Sequence, residues 1–252
     1  MKTVACRSSQ GFTLVEMLTV ISIAGILAVL TIPAIQGVQQ AGEFDKALYG
    51  VSDSLNLARA YAMAENTYVY VGLTELDRSQ KTTDTPQNKG VGRIALSIVS
   101  TKDGTPTVST ATPATGDNLT QVRKVAVFDA IHIASGPFTT GTGTGNMTRA
   151  TALTPTTPTL PVSTLASGYS LPMGSTTGSG QYNFSDNTNT AMICFTPQGG
   201  VLLNGATVQL VEVDLQPVKG TATPSAPANV NKGNHAALLI DGVTGAVSVY
   251  RP

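Results

Sequence analysis

From Met17 to Ile35 the chain carries little besides Leu, Ile, Val, Ala and Gly. At about 19 residues the run is long enough for one helix to cross the hydrocarbon of a bilayer, and no other stretch constrains the fold as strongly. One carboxylate, Glu16, stands at its start, behind Gly11-Phe12-Thr13-Leu14-Val15 and a short polar leader carrying Lys2 and Arg7. A carboxylate at that depth is costly in lipid and calls for a partner. An ordinary secretory signal would use Lys2 and Arg7 as its basic region and be cut after the apolar stretch. The stretch is long for such a signal, Glu16 is an odd intrusion in it, and no Ala-x-Ala site follows closely. A plain membrane anchor accounts for the hydrophobicity but leaves Gly11 and Glu16 without a reason. Cys6 follows no apolar segment, which removes a lipoprotein reading.

Gly11 to Glu16, joined to this run, resembles the type III signal of type IV prepilins and pseudopilins. The resemblance implies that a prepilin peptidase/methyltransferase cuts after Gly11 on the cytoplasmic side and methylates the amine of the new N-terminal Phe12. It implies that Glu16, five residues into the mature chain, pairs with the amine of a neighbouring subunit as the helix joins a filament. The physics agrees, because an ammonium and a carboxylate are each costly alone in lipid and relieve one another when paired. Pro33 falls where many members carry a helix-loosening proline. It removes one backbone hydrogen bond, and Gly37 is a poor helix former, so the helix is expected to loosen between them, although a simple kink would fit the sequence equally well.

Beyond this point the helix is expected to change character. Phe44, Leu48, Val51, Leu55, Ala58 and Ala62 recur at alternating spacings of four and three, one apolar stripe, with Asp45, Lys46, Asp53 and Asn56 off it. That pattern suits a helix that leaves the membrane and packs one face on a globular domain. Leu55-Asn56-Leu57-Ala58-Arg59, with Ala62, Asn66 and Val69, is similar to the helix end of the FimT and GspH type of minor pilins and minor pseudopilins. Asn66 reads as the helix terminator and Thr67-Tyr68-Val69-Tyr70-Val71 as the first strand. Arg59 reads as a solvated or domain-bridging cation.

The remainder reads as strands and loops. Gly92–Val99 and Val122–Ile133 are strand candidates. From about 134 to 190 the composition shifts to Thr, Ser, Gly and Pro, with Thr139 to Gly145 at its extreme, and such a segment has little to bury. It reads as an exposed, mobile insertion, with O-glycosylation or partner binding as the alternative. Strands return at Ala191–Phe195 and, after the turn Thr196–Gly200, at Val201–Leu203. Ala206–Leu215 alternates like one strand, and Ala237–Ile240 with Ala246–Tyr250 forms a hairpin around Asp241–Gly245. The expected fold is α+β. A leader, 1–11, precedes a long helix, 12–66, whose half at 12–35 spans the membrane, and a β-rich domain of antiparallel sheet, 67–252, packs on the other half.

Lysine and arginine total 15, as do aspartate and glutamate, so global charge makes no case for nucleic acid or anionic lipid. Arg123-Lys124 is a single basic pair, and Lys219 and Lys232 are isolated. Removal of the leader would take Cys6 and leave Cys194 alone, so no internal disulfide is expected; many major pilins close a C-terminal loop with one. Cys194 lies in an apolar strand and reads as a buried thiol. His132 and His235 each stand without a neighbouring carboxylate or cysteine at metal-ligand spacing, and no hydrolase, zinc-protease or phosphate-loop motif occurs. Asp241 alone is weak evidence for calcium. We therefore expect no enzyme, no cofactor and no metal. The resemblance implies a structural subunit, a minor one, of a type IV pilus or type II secretion pseudopilus. It would sit in the inner membrane with its globular domain on the periplasmic side until assembled with other pilin or pseudopilin subunits. The other class is a fibre-displayed adhesin or DNA-uptake protein acting through its β-domain loops.

Overall fold

The computed structural model describes residues 13–106, 119–134, 150–152, 182, 184, 190–203, 205–224 and 234–251, with the backbone alone at 30–40, 150–152, 190 and 191. Among the described residues there is one helix, α1, Leu14–Ala64, within the expected 12–66. The chain divides at residue 40 into two compact units, the first ending at Gln40 and the second starting at Ala41.

The described residues of the second unit form the remainder of α1 and two sheets. The first sheet uses β1 Val69–Asp77, β2 Gly92–Thr101, β3 Leu119–Asp129, β6 Thr190–Phe195, β7 Val201–Leu203 and β8 Ala206–Thr207, in the order β3-β2-β1-β6-β7-β8. The second uses β4 Ile131–Ile133, β9 Leu210–Pro217, β10 Ala236–Asp241 and β11 Val247–Tyr250, in the order β11-β10-β9-β4. A short strand, β5 Ala150–Ala152, lies parallel to β9; the other pairings are antiparallel.

One core joins helix and sheets. Phe44, Leu48, Val51, Leu55, Ala58 and Ala62, the stripe read from the sequence, are all fully buried. Alternate residues of each sheet meet them: Val69, Val71 and Leu73 on β1, Ile94, Leu96 and Ile98 on β2, Val211, Val213 and Leu215 on β9, and Ala236, Leu238 and Ile240 on β10. The period of two along each strand puts these side chains on one face, and the register sets Val71 against Ile98 and Leu73 against Leu96. Burying a Leu or Val side chain this completely contributes about 1.5–3 kcal/mol each. Polar contacts fasten the start of this helical part: Arg78 pairs with Glu43 at 3.2 Å, and Arg251 reaches Asp45 while its guanidinium lies 5.9 Å from the centre of the Phe44 ring.

Three features differ from the sequence reading. Val122–Ile133 is two strands in two different sheets, because Ala130 takes a left-handed backbone, φ 64°, and turns the chain from β3 into β4. Its N–H donates to Gly92 O and its carbonyl accepts from Val218 N, which hold the turn in place. Ala206–Leu215 is likewise two strands: the chain breaks at Val208-Gln209 and crosses from the first sheet to the second. Alternation of apolar residues reports which face a side chain takes and carries no information about a change of sheet. Most of 134–190 lies outside the described residues, but its described positions are not a free surface loop. Residues 150–152 pair with β9. Phe184 is 1% exposed in a second apolar cluster with Tyr70, Val99, Leu119, Met192 and Cys194, on the opposite face of the first sheet, with Tyr182 packed against it. Even a polar segment is anchored when its few aromatic residues meet an uncovered apolar sheet face.

Candidate functional site

Thr13 and Glu16 bracket the first turn of α1. Thr13 is the residue before the helix and Glu16 the third inside it. The Glu16 N–H donates to Thr13 Oγ1 at 3.2 Å, while Glu16 Oε2 accepts from the Thr13 N–H at 3.0 Å and from its hydroxyl at 2.9 Å. This is a reciprocal capping box, which satisfies N–H groups that the first helical turn leaves without partners. Sequence reasoning used Glu16 and passed over Thr13, although Thr-x-x-Glu ahead of an apolar run is the signature of such a box. Gly11 and Phe12, where cleavage and methylation are expected, lie outside the described residues.

Behind the box the helix is apolar on every side. Its large side chains from Leu14 to Val29 are exposed in the isolated chain, from 54% at Leu18 to 81% at Leu14. No polar face forms to balance them, so this stretch needs an apolar environment or neighbouring helices. Among the described residues no helix is long and apolar enough to cross a membrane; the apolar stretch with described side chains ends at Val29, short of the expected span 12–35. The backbone stays helical through Pro33 and Gly37, so the chain path is unbroken there, and Pro33 still cannot donate the hydrogen bond its position would supply.

At the other end of α1 the Thr67 N–H donates to Ala62 O at 3.1 Å across Asn66, which takes the left-handed conformation, φ 49°. That is a Schellman cap, with Asn in the place most often held by Gly. Arg59 Nε donates to Thr244 O at 2.6 Å, so this cation joins helix and hairpin. Asp241 organises that hairpin: its Oδ1 accepts from the Thr244 and Val243 N–H groups and from the Thr244 hydroxyl. The Thr244 hydrogen bonds, before all else, hold its carboxyl below the usual carboxylate range.

The domain interior holds polar groups that the sequence did not bring together. His132 Nδ1 lies 2.7 Å from Glu75 Oε1, both residues buried, and Glu75 Oε1 also accepts from the Gly92 N–H at 3.3 Å. The pair links β4 to β1 over 57 residues of sequence, a distance no local spacing reports. His235 is also buried. Among the described residues no group of three or more His, Cys, Asp or Glu is arranged to hold a metal. Cys194 is a free, buried thiol; burial pushes it up to about 12, with the Tyr70 contact pulling weakly the other way. Burial, first of all, also raises the Tyr70 phenol, whose hydroxyl donates to Pro106 O. Both shifts have one cause, the apolar cluster on this face of the first sheet that surrounds Tyr70 and Cys194.

The prokaryotic N-terminal methylation motif matches residues 6–32, a stretch holding Gly11, Phe12, the Thr13–Glu16 box and most of the apolar run. A fimbrial protein of Pseudomonas aeruginosa is 30% identical over 101 residues, which cover 39% of this chain and 65% of that protein. The match thus spans less than two thirds of the relative's length. No solved structure gives a significant match. The two sequence findings support a type IV pilin-like leader on a chain whose helix packs against antiparallel sheets.

Proposed function

We propose that this chain is a structural subunit of a type IV pilus or a type II secretion pseudopilus, and a minor one of the FimT/GspH type. The observation that carries the reading is the methylation motif over residues 6–32, on a helix that begins with a lone carboxylate and is apolar all round. In this reading a prepilin peptidase cuts between Gly11 and Phe12 and the Phe12 amine is methylated. Residues 12–35 hold the chain in the inner membrane as a single span, with the globular domain on the periplasmic side. The subunit then enters the fibre when its neighbours accept the apolar helix. Its work is assembly and not catalysis. The capping box is the resting arrangement of Glu16, which gives the carboxylate hydrogen bonds until a neighbour's Phe12 ammonium replaces them with a full counter-charge. The minor role is supported by Leu55-Asn56-Leu57-Ala58-Arg59 near the helix end and by the absence of a disulfide partner for Cys194 in the processed chain.

Intact-mass and N-terminal peptide mass spectrometry of protein from membranes and sheared fibres tests the processing step. The expected mature chain starts at Phe12 with a methylated amine; a chain starting beyond Ile35, with the apolar run gone, would overturn the proposal. Quantitative proteomics of the same fibres tests the role: the chain is expected far below a shorter pilin, and finding it as the dominant subunit would refute a minor part.

A further inference from the structure

The last turn of α1 meets two turns of the domain at Met63. The turn 196–200 joins β6 to β7 in the first sheet, and the turn 241–245 joins β10 to β11 in the second. Gly199 is buried although it carries no side chain, and it takes a left-handed backbone, φ 86°. A Cβ built there would stand 2.8 Å from Met63 Sδ and 3.4 Å from Met63 Cγ. The thioether therefore lies flat on the Gly199 backbone and closes that side of the turn. On another side, Gly199 O would stand 2.0 Å from a Cβ at Gly245, so the two turns are wedged together. Hydrogen bonds hold the joint: Gly199 N–H donates to Thr196 O and Val201 N–H to Gly242 O, each at 2.8 Å. Arg59, about one helical turn before Met63, donates to Thr244 O.

Met63 differs from the other methionines with described side chains. Met192 is 6% exposed inside the apolar cluster on the outer face of the first sheet, and Met17 stands on the apolar part of α1. Met63 is 40% exposed in the globular domain, which leaves its side chain open to an oxidant dissolved in water. With hydrogen peroxide, a lone pair of Sδ attacks one oxygen. The O–O bond breaks as the S–O bond forms, sulfur gives up two electrons, and the second oxygen leaves with both protons as water. The product is a polar sulfoxide. Pressed on Gly199 it would lose water without gaining a donor, because the Gly199 N–H is already given to Thr196 O. The half-exposed side chain has solvent to swing into. We propose that Met63 is an oxidation site whose sulfoxide leaves Gly199 and loosens the joint between the helix end and the two turns. A thiol-dependent sulfoxide reductase restores the thioether, so the joint is a reversible, redox-sensitive latch.

The latch belongs to the globular domain and is independent of how the N-terminal helix assembles. The test treats the full chain, in peroxide-free detergent, with dilute hydrogen peroxide. Peptide mass spectrometry reads the sulfoxides, and amide hydrogen exchange reads the turns. Met63 is expected to oxidise roughly tenfold faster than Met192, or more, because accessible thioethers react first. Exchange in peptides covering 196–203 and 241–247 should then rise severalfold and return after treatment with methionine sulfoxide reductases of both stereospecificities. Met63→Leu keeps the apolar body without the sulfur, so peroxide should leave exchange in both turns unchanged. Oxidation of Met63 no faster than of Met192, exchange unaltered by its sulfoxide, or an equal rise in Met63→Leu would each overturn the proposal. None of these results bears on fibre assembly, which is read by leader processing and incorporation.

Discussion

Gly242→Ala is expected to lower the unfolding midpoint of the β-domain by about 6–12 °C, from a destabilisation of about 3 kcal/mol or more. A Cβ at this position would lie 1.7 Å from Val208 O and 2.5 Å from Val208 C, backbone atoms that cannot rotate away. Gly242 cannot retreat either. Its N–H donates to Gln209 O at 2.9 Å, and its carbonyl accepts from Val201 N at 2.8 Å, so it is bound to the β8–β9 link and to β7 together. Relief of the clash would break at least one of these bonds and part the hairpin from the first sheet. Gly245, in the same turn, sits in a similar place, with φ 65° and Gly199 O 2.0 Å from its missing Cβ. Gly42→Ala is the control: it lies on the exposed helix with nothing within 4 Å of an added Cβ, and should stabilise by roughly 0.5–1 kcal/mol. Thermal unfolding followed by tyrosine fluorescence reads both, since the chain has no Trp. A small, equal effect of the two substitutions would show that the hairpin is not seated as described.

Glu16→Ala is expected to separate membrane insertion from assembly. Removing the only charge in the apolar helix makes insertion easier, and cleavage continues because Gly11 is untouched. Incorporation into fibres should fall roughly tenfold or more, because a neighbour's ammonium would be left without its counter-charge in a low-dielectric bundle. Glu16→Gln keeps the shape and supplies no charge, so it should behave nearly as badly. Thr13→Val distinguishes the two jobs of this carboxylate: it removes the hydroxyl of the capping box and leaves the Glu16 charge. We expect its incorporation to stay close to wild type. The measurement is the ratio of processed chain in sheared fibres to that in membranes. Wild-type ratios in both Glu16 variants would exclude Glu16 as an assembly partner, and a Thr13→Val ratio as low as Glu16→Ala would assign its effect to capping.

Sequence reasoning located much of this molecule where periodicity or local chemistry was decisive. The stripe from Phe44 to Ala62 is the buried face of α1, Asn66 is its cap, and Asp241 to Gly245 is the turn of the β10–β11 hairpin. The capping box was also written in the sequence, as Thr13 and Glu16 three residues apart, and needed only to be read as a pair. Each of these depends on atoms a few residues apart along the chain, which spacing reports directly.

Membership of sheets is another matter. Ala130 carries no mark that it will turn left-handed, and Val208-Gln209 none that the chain will leave one sheet for the other; both follow from partners far along the chain, Gly92 and Val218 for the first and Gly242 for the second. The same holds for Glu75 with His132, for Phe184 on the outer face of the first sheet, and for Met63 against Gly199. By itself the sequence determined the apolar helix with its single carboxylate, the amphipathic stripe and most strand positions, because hydrophobic period and turn chemistry are local. Only the tertiary structure decided which strands share a sheet, which polar side chains meet inside, and which turns the helix end meets, because those depend on long-range pairing that loop lengths permit without specifying.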